Sequence, residues 1–126
     1  MSRQLVRSGS PFELTIGFSR AVRIADRVVV SGTAPVMPDG SCPPDAGAQA
    51  ERCFEIIGAA LREAGASIAD VVRTRMYLTD ARDADAVGRV HGSIFGATRP
   101  AATMVVVAAL LDPRWRVEIE AEAIVS

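Results

Sequence analysis

Apolar and polar residues alternate along several short segments of the chain, as they do in strands that bury one face. Residues 20–25 and 27–33 are rich in β-branched side chains and are separated by a single polar residue, which predicts two strands joined by a tight turn. Alternation over 71–78 and over 116–123 predicts two further strands. The unbroken apolar run 104–111 predicts another strand before the last one, so that the chain ends in two adjacent strands.

Two longer segments repeat apolar residues at every third or fourth position, which is typical of an amphipathic α-helix. The first runs from Asp45, a suitable N-cap, to Gly65, and the second covers 83–97. Prolines and a glycine between 33 and 45 predict an irregular loop. The order β-β-α-β-α-β-β therefore predicts a single α+β domain over residues 1–126, with one mixed sheet and two helices on one face.

The predicted sheet has more apolar surface than its helices can cover. Residues 28–30 and 104–109 are apolar at consecutive positions, and hence on both faces of a strand. Two helices cover one face, and the pattern offers no further helix for the other. A second copy of the same chain is the natural cover, so self-association is predicted.

Composition and charge narrow the possible functions. Fourteen basic and fifteen acidic residues give a formal net charge of −1, which does not favour binding to nucleic acid or to a membrane surface. Every basic residue is arginine, and the absence of lysine excludes a Schiff-base mechanism. A single histidine and two widely spaced cysteines predict neither a metal site nor a cofactor. With no stretch of signal-peptide or membrane-spanning character, we expect a soluble, cytoplasmic protein.

Five segments together resemble the Rid (YjgF-type) family of reactive-intermediate deaminases in order and spacing. They are VVVSGTAPVMPDG at 28–40, ASIADVVRTRMYLTD at 66–80, HGSIFG at 91–96, RPAATMVVV at 99–107 and RVEIEAEAI at 116–124. The resemblance implies a chorismate-mutase-like fold assembled as a homotrimer, with small-molecule ligands bound in clefts between subunits. It also implies hydrolysis of 2-imino acids to 2-oxo acids and ammonia without a cofactor.

The resemblance also assigns candidate site residues. Glu120, in the VEIEA segment, matches the family's catalytic glutamate, while Ser31 and Gly32 stand at the ligand-binding end of the VVVSG strand. Thr103 and Met104 lie in the segment that follows the RPA turn. From spacing alone, Glu120 would be assigned only to the polar face of a strand.

At three candidate ligand-binding positions the polar residue of the family is missing. Ala102 stands where deaminating members have a carboxylate-binding arginine, Phe18 replaces a tyrosine, and Gly88 replaces an asparagine. Arg20 stands where the family has glutamine, and it is the first candidate to bind an anion instead, because a guanidinium matches a carboxylate in a bidentate pair. Hydrolysis of 2-imino acids is therefore expected to be weak.

Two classes of function fit these observations. One is a cofactor-free hydrolase of small imine or enamine metabolites, and the other is a non-catalytic trimeric protein that binds a small molecule or another protein. Some relatives have been described as ribonucleases or translation inhibitors, but the sequence contains no basic stripe that would support this distant alternative.

Overall fold

The computed structural model describes residues 2–126 and contains one sheet with two long helices. In chain order the elements are β1 Arg3–Val6, β2 Ala21–Ile24, β3 Arg27–Thr33, α1 Ala46–Glu63, β4 Val71–Leu78, α2 Ala84–Phe95, β5 Ala101–Val106 and β6 Val117–Ile124. The predicted α+β class, with its mixed sheet and two helices on one face, is confirmed.

The strands follow the order β1-β2-β3-β6-β4-β5 across the sheet. All neighbours are antiparallel except β4 and β5, which are parallel. This parallel pair follows from α2. The helix carries the chain back across the sheet to the end at which β4 began, so that β5 runs in the same direction as β4. The last two strands of the sequence are therefore not paired, since β4 lies between them.

Two strands differ from the sequence prediction. β5 covers Ala101–Val106 rather than 104–111, because the apolar run leaves the sheet after its last pairing, between Leu78 and Val106. The short strand β1 was not predicted. It pairs with β2 through Arg3↔Ile24 to Val6↔Ala21 and extends the opposite edge of the sheet.

The hydrophobic core lies between the sheet and α1. Asp45 caps this helix by accepting a hydrogen bond from the backbone N–H of Ala48 at 2.8 Å. α1 packs against β3 and β6, and α2 packs against α1. Burial of each large aliphatic side chain stabilises the fold by about 1.5–3 kcal/mol, and the fully buried ones include Ile57, Leu61, Val28, Val30 and Ile119.

The second face of the sheet carries no helix. It presents a mixture of partly exposed charged and apolar side chains, among them Val29, Arg75 and Glu122. No helix among the described residues is long and apolar enough to cross a membrane. The predicted cover for this face, a second copy of the chain, stays a prediction.

Candidate functional site

A β-bulge interrupts the pairing of β3 with β6 near the end of β3. Val30 pairs with Ala121, but Thr33 pairs with Ile119, so β3 contains one extra residue between these positions. The bulge is held from the side of the preceding loop, because the Ser31 hydroxyl donates a 2.6 Å hydrogen bond to the carbonyl of Ser19. This end of β3 is therefore rigidly connected to the segment that contains Phe18 and Arg20.

Glu118 lies against this bulge. It projects from β6 on the face opposite the buried Val117 and Ile119 and packs directly over Gly32. A Cβ atom at Gly32 would overlap a carboxylate oxygen of Glu118, so only glycine lets the carboxylate approach the backbone of β3 at this point. Partial burial raises the pKa of Glu118, and the nearby positive charge of Arg20 opposes this effect.

Arg20 is bonded to Gly32 and acts electrostatically on Glu118. Its Nη2 atom donates a 2.5 Å hydrogen bond to the carbonyl of Gly32, and its buried Nε has no hydrogen-bond partner among residues 2–126. Burial lowers the pKa of Arg20, whereas the carboxylates of Glu13 and Glu118 raise it. The guanidinium thus lies between two negative groups in a partly desolvated environment.

Phe18 reaches this region through a short π-helical turn, Glu13–Gly17. Glu13 is buried and accepts hydrogen bonds from the backbone and hydroxyl of Ser8, and its own carbonyl accepts one from the Phe18 N–H at 3.0 Å. Gly17 adopts a φ of 86°, which favours glycine at this point. The turn leaves the Phe18 ring 36% exposed two residues before Arg20.

Glu120 has different neighbours from those expected. Its carboxylate accepts a 2.5 Å hydrogen bond from the Tyr77 hydroxyl and lies 3.6 Å from the Nη1 atom of Arg75. The bond to Glu120 raises the pKa of Tyr77. Glu120 therefore belongs to a polar network on the open face of the sheet, whereas Glu118, which the sequence analysis did not select, is the acid beside Gly32.

The remaining predicted site residues form a second group at the edge of the sheet. Ala102 and Thr103 are exposed on β5, Met104 is half-buried beside them, and Gly88 lies on α2 where a Cβ atom would meet open space. Two strands, β6 and β4, separate β5 from β3, a distance of about 14 Å at the usual strand spacing. A single chain therefore does not bring Ala102 close to Gly32.

The mixed six-stranded sheet, its helices on one face and the strand order define a chorismate-mutase-like α+β protein. A sequence model described as Endoribonuclease L-PSP matches residues 10–125. The chain belongs to this family, which is also known as the YjgF or Rid family.

Individual relatives agree with this assignment. A solved structure from Mycobacterium tuberculosis, Rv2704 of the YjgF/YER057c/UK114 family, superposes with a TM-score of 0.91 at 48% identity, over 98% of this chain and 100% of that one. An uncharacterized protein of Streptomyces coelicolor is 42% identical, over 94% of this chain and 89% of its own length. The 2-iminobutanoate/2-iminopropanoate deaminase of Escherichia coli is 33% identical, over 98% of both chains.

Proposed function

We propose that this protein is a hydrolase of small imine or enamine metabolites that works without a cofactor in clefts between the subunits of a homotrimer. The Escherichia coli relative named 2-iminobutanoate/2-iminopropanoate deaminase supports the class of reaction. The observation that carries the proposal is the half-buried Glu118 carboxylate, which lies over Gly32 and is adjacent to the Arg20 guanidinium.

A carboxylate in this environment can transfer a proton in both directions. Glu118 accepts a proton from water while the water oxygen bonds to the imine carbon, and the C=N bond becomes a C–N single bond in a tetrahedral amino alcohol. The protonated Glu118 returns this proton to nitrogen, which completes the neutral amino alcohol. Glu118 then accepts the hydroxyl proton of this intermediate and delivers it to nitrogen, the C–N electron pair leaves with nitrogen as ammonia, and the C–O bond becomes the C=O bond of the carbonyl product. The raised pKa of Glu118 suits such a group, because proton transfer is most efficient when the pKa approaches the working pH.

The location of the two residue groups supports a cleft that is shared between subunits. Gly32, Glu118 and Arg20 lie at one end of β3, whereas Ala102 lies on the edge strand β5 and Gly88 lies on α2. One chain therefore offers two half-sites. A neighbouring copy in a closed ring would supply the β5 half to the β3 half of the next subunit.

We expect 2-imino acids to be poor substrates. Ala102 offers no charge at a position where a charged hydrogen bond to a carboxylate would contribute about 1.5–3 kcal/mol. Without it, we expect turnover about one to two decades below that of the Escherichia coli relative. Arg20 is a cation that acts on the candidate acid electrostatically, but two carboxylates already offset its charge.

The test uses 2-iminobutanoate, generated from threonine by a dehydratase, with semicarbazide as the competing trap. We expect weak but measurable hydrolysis by the wild-type protein and a loss of about 10²-fold or more in Glu118→Gln. Glu122→Gln is the matched control, since Glu122 lies on the same face of β6 and is ion-paired with Arg27 at 2.7 Å. All variants are first checked for trimers by light scattering after size exclusion.

Glu120→Gln decides between the two acids of β6. Equal losses in Glu118→Gln and Glu120→Gln would remove the preference for Glu118. A wild-type protein that binds ligand but never exceeds the buffer rate would contradict hydrolysis. That result would favour the non-catalytic binder, which the apolar Phe18 and Ala102 also suit.

A further inference from the structure

His91 is held in a fixed position on the inner side of α2. Its Nε2 atom lies 2.8 Å from the hydroxyl of Thr74, a residue of β4 that is fully buried. The imidazole also packs against the rings of Phe54 and Phe95, with centroid distances of 5.9 and 4.7 Å. These contacts determine the orientation of the ring before any ligand binds.

The other ring nitrogen of His91 is available. It has no hydrogen-bond partner among residues 2–126, and it is not among the buried polar atoms left unpaired there, so it reaches the surface. Burial lowers the pKa of His91, which keeps the ring neutral near pH 7. With Nε2 bonded to Thr74, the second nitrogen of a neutral imidazole offers a ligand either one donor or one acceptor, and it carries no charge.

Two members of the second group of candidate site residues lie close to His91 in the fold. Thr74 pairs with Ala102 in the parallel ladder, so the two side chains project from the same face of the sheet. Gly88 precedes His91 by one helical turn, and a Cβ atom at Gly88 or Gly92 would meet open space. Uncharged, small residues therefore leave room beside the imidazole.

We propose that His91 binds the ligand on the Ala102 side of the cleft and selects ligands whose end at that position is an uncharged carbonyl or amide group. This inference rests on the proposed function, since it requires that the Ala102 surface faces the ligand. A carboxylate placed here would lose hydration without gaining a cation. An amide would lose less hydration free energy than a carboxylate, and it would still form a hydrogen bond with the imidazole.

Two probes of nearly equal shape test the inference: 2-oxobutanoate and 2-oxobutanamide. His91 is the only histidine of the chain, so the proton on its Cε1 atom gives one assignable imidazole NMR signal during titration. We expect the amide to shift this signal saturably and to bind about tenfold more tightly than the carboxylate, which corresponds to about 1.4 kcal/mol. Stronger binding of the carboxylate to the wild-type protein, or amide binding that leaves the His91 signal unchanged, would overturn the inference.

Two variants separate a binding role from a structural one. His91→Phe keeps the aromatic packing and should abolish the preference for the amide. Ala102→Arg leaves the His91–Thr74 pair intact and should reverse the preference towards 2-oxobutanoate.

The variants also distinguish failure of the inference from failure of the cleft. If Ala102→Arg binds 2-oxobutanoate while the wild-type protein does not bind 2-oxobutanamide, the cleft exists and the inferred role of His91 is contradicted. If neither protein binds either probe, the proposed function is contradicted as well.

Discussion

The end of β3 and the edge strand β5 contain the two halves of the candidate site, and they differ in charge and in how firmly they are held. At the end of β3, Arg20 and Glu118 are partly buried, and hydrogen bonds fix the backbone around them. On β5, Ala102 and Thr103 are exposed and uncharged. Both halves are therefore present in one chain, and the proposed cleft would bring the charged half of one copy to the uncharged half of another.

This difference has a physical origin in the sheet. β3 is an interior strand. Its bulge lies beside β6 on one side and is bonded on the other to Ser19 and Arg20, just before β2, so its polar groups have little freedom. β5 pairs with β4 alone, and side chains on an edge strand can change with little effect on the core. We infer that the proton-transfer chemistry resides at β3 and that ligand selection resides at β5 and α2.

A glycine-to-alanine substitution in each half of the candidate site should give the largest difference in effect between the two halves. Gly32→Ala places a Cβ atom where a carboxylate oxygen of Glu118 now lies, so the end of this side chain must move aside. Turnover should fall, by up to about 10²-fold if the displaced acid no longer reaches the substrate. Gly88→Ala places its Cβ atom in open space within α2. It should raise the free energy of unfolding by about 0.5–1 kcal/mol, since alanine favours a helix over glycine.

Turnover and thermal denaturation of the two variants check this contrast. If Gly32→Ala keeps full activity, the approach of Glu118 to β3 has no role in the reaction. If Gly88→Ala impairs activity as strongly as Gly32→Ala does, the two halves do not differ as we infer.

The sequence predicted the fold well where one face of an element is buried along its whole length. The helix from Asp45 and the strand over 71–78 appear with their expected bounds, because their apolar positions follow a single period. β5 was displaced, since an apolar run does not show where pairing with a neighbour stops. β1 was missed because only Val6 of its four residues is buried, which leaves almost no pattern.

Along β6 the sequence leads to Glu120 as the candidate acid, whereas the contact with Gly32 leads to Glu118, one alternation away. Glu118 and Glu120 share a face, and an unbroken ladder from Val30↔Ala121 would place Gly32 opposite Ile119, midway between them. The bulge shifts the register by one residue, so that Ser31 and Gly32 together lie opposite Glu120 in the ladder. The carboxylate that a Cβ atom at Gly32 would meet is nevertheless that of Glu118. Spacing along β6 does not specify which of the two carboxylates turns towards Gly32, so the preference for Glu118 rests on side-chain orientation and stays a proposal.

The pH dependence of stability offers a smaller test of the acidic half. Because burial raises the pKa of Glu118 in the folded protein, the folded state retains this proton to higher pH than the unfolded chain does. The free energy of unfolding therefore falls as the pH rises through that interval. Glu118→Gln has no carboxyl group to ionise at this position and does not lose this stability. The free energy of unfolding of the variant minus that of the wild-type protein should therefore be larger at about pH 7 than at about pH 4. Urea denaturation at both values measures the difference, and Glu122→Gln provides the matched control.

The smallest effect is expected for Tyr77→Phe, which removes the hydroxyl that donates to Glu120 at 2.5 Å. Both side chains are only partly buried, so water can replace the lost bond and the free energy of unfolding should fall by about 1 kcal/mol or less. Glu118 keeps its position against Gly32, and turnover should therefore stay within about twofold of the wild-type value. Parallel measurements of urea denaturation, trimer content and hydrolysis separate these effects. A loss of activity as large as that of Glu118→Gln, in a variant that remains folded and trimeric, would mean that the Tyr77–Glu120 pair takes part in the chemistry, and the assignment of the acid would return to Glu120.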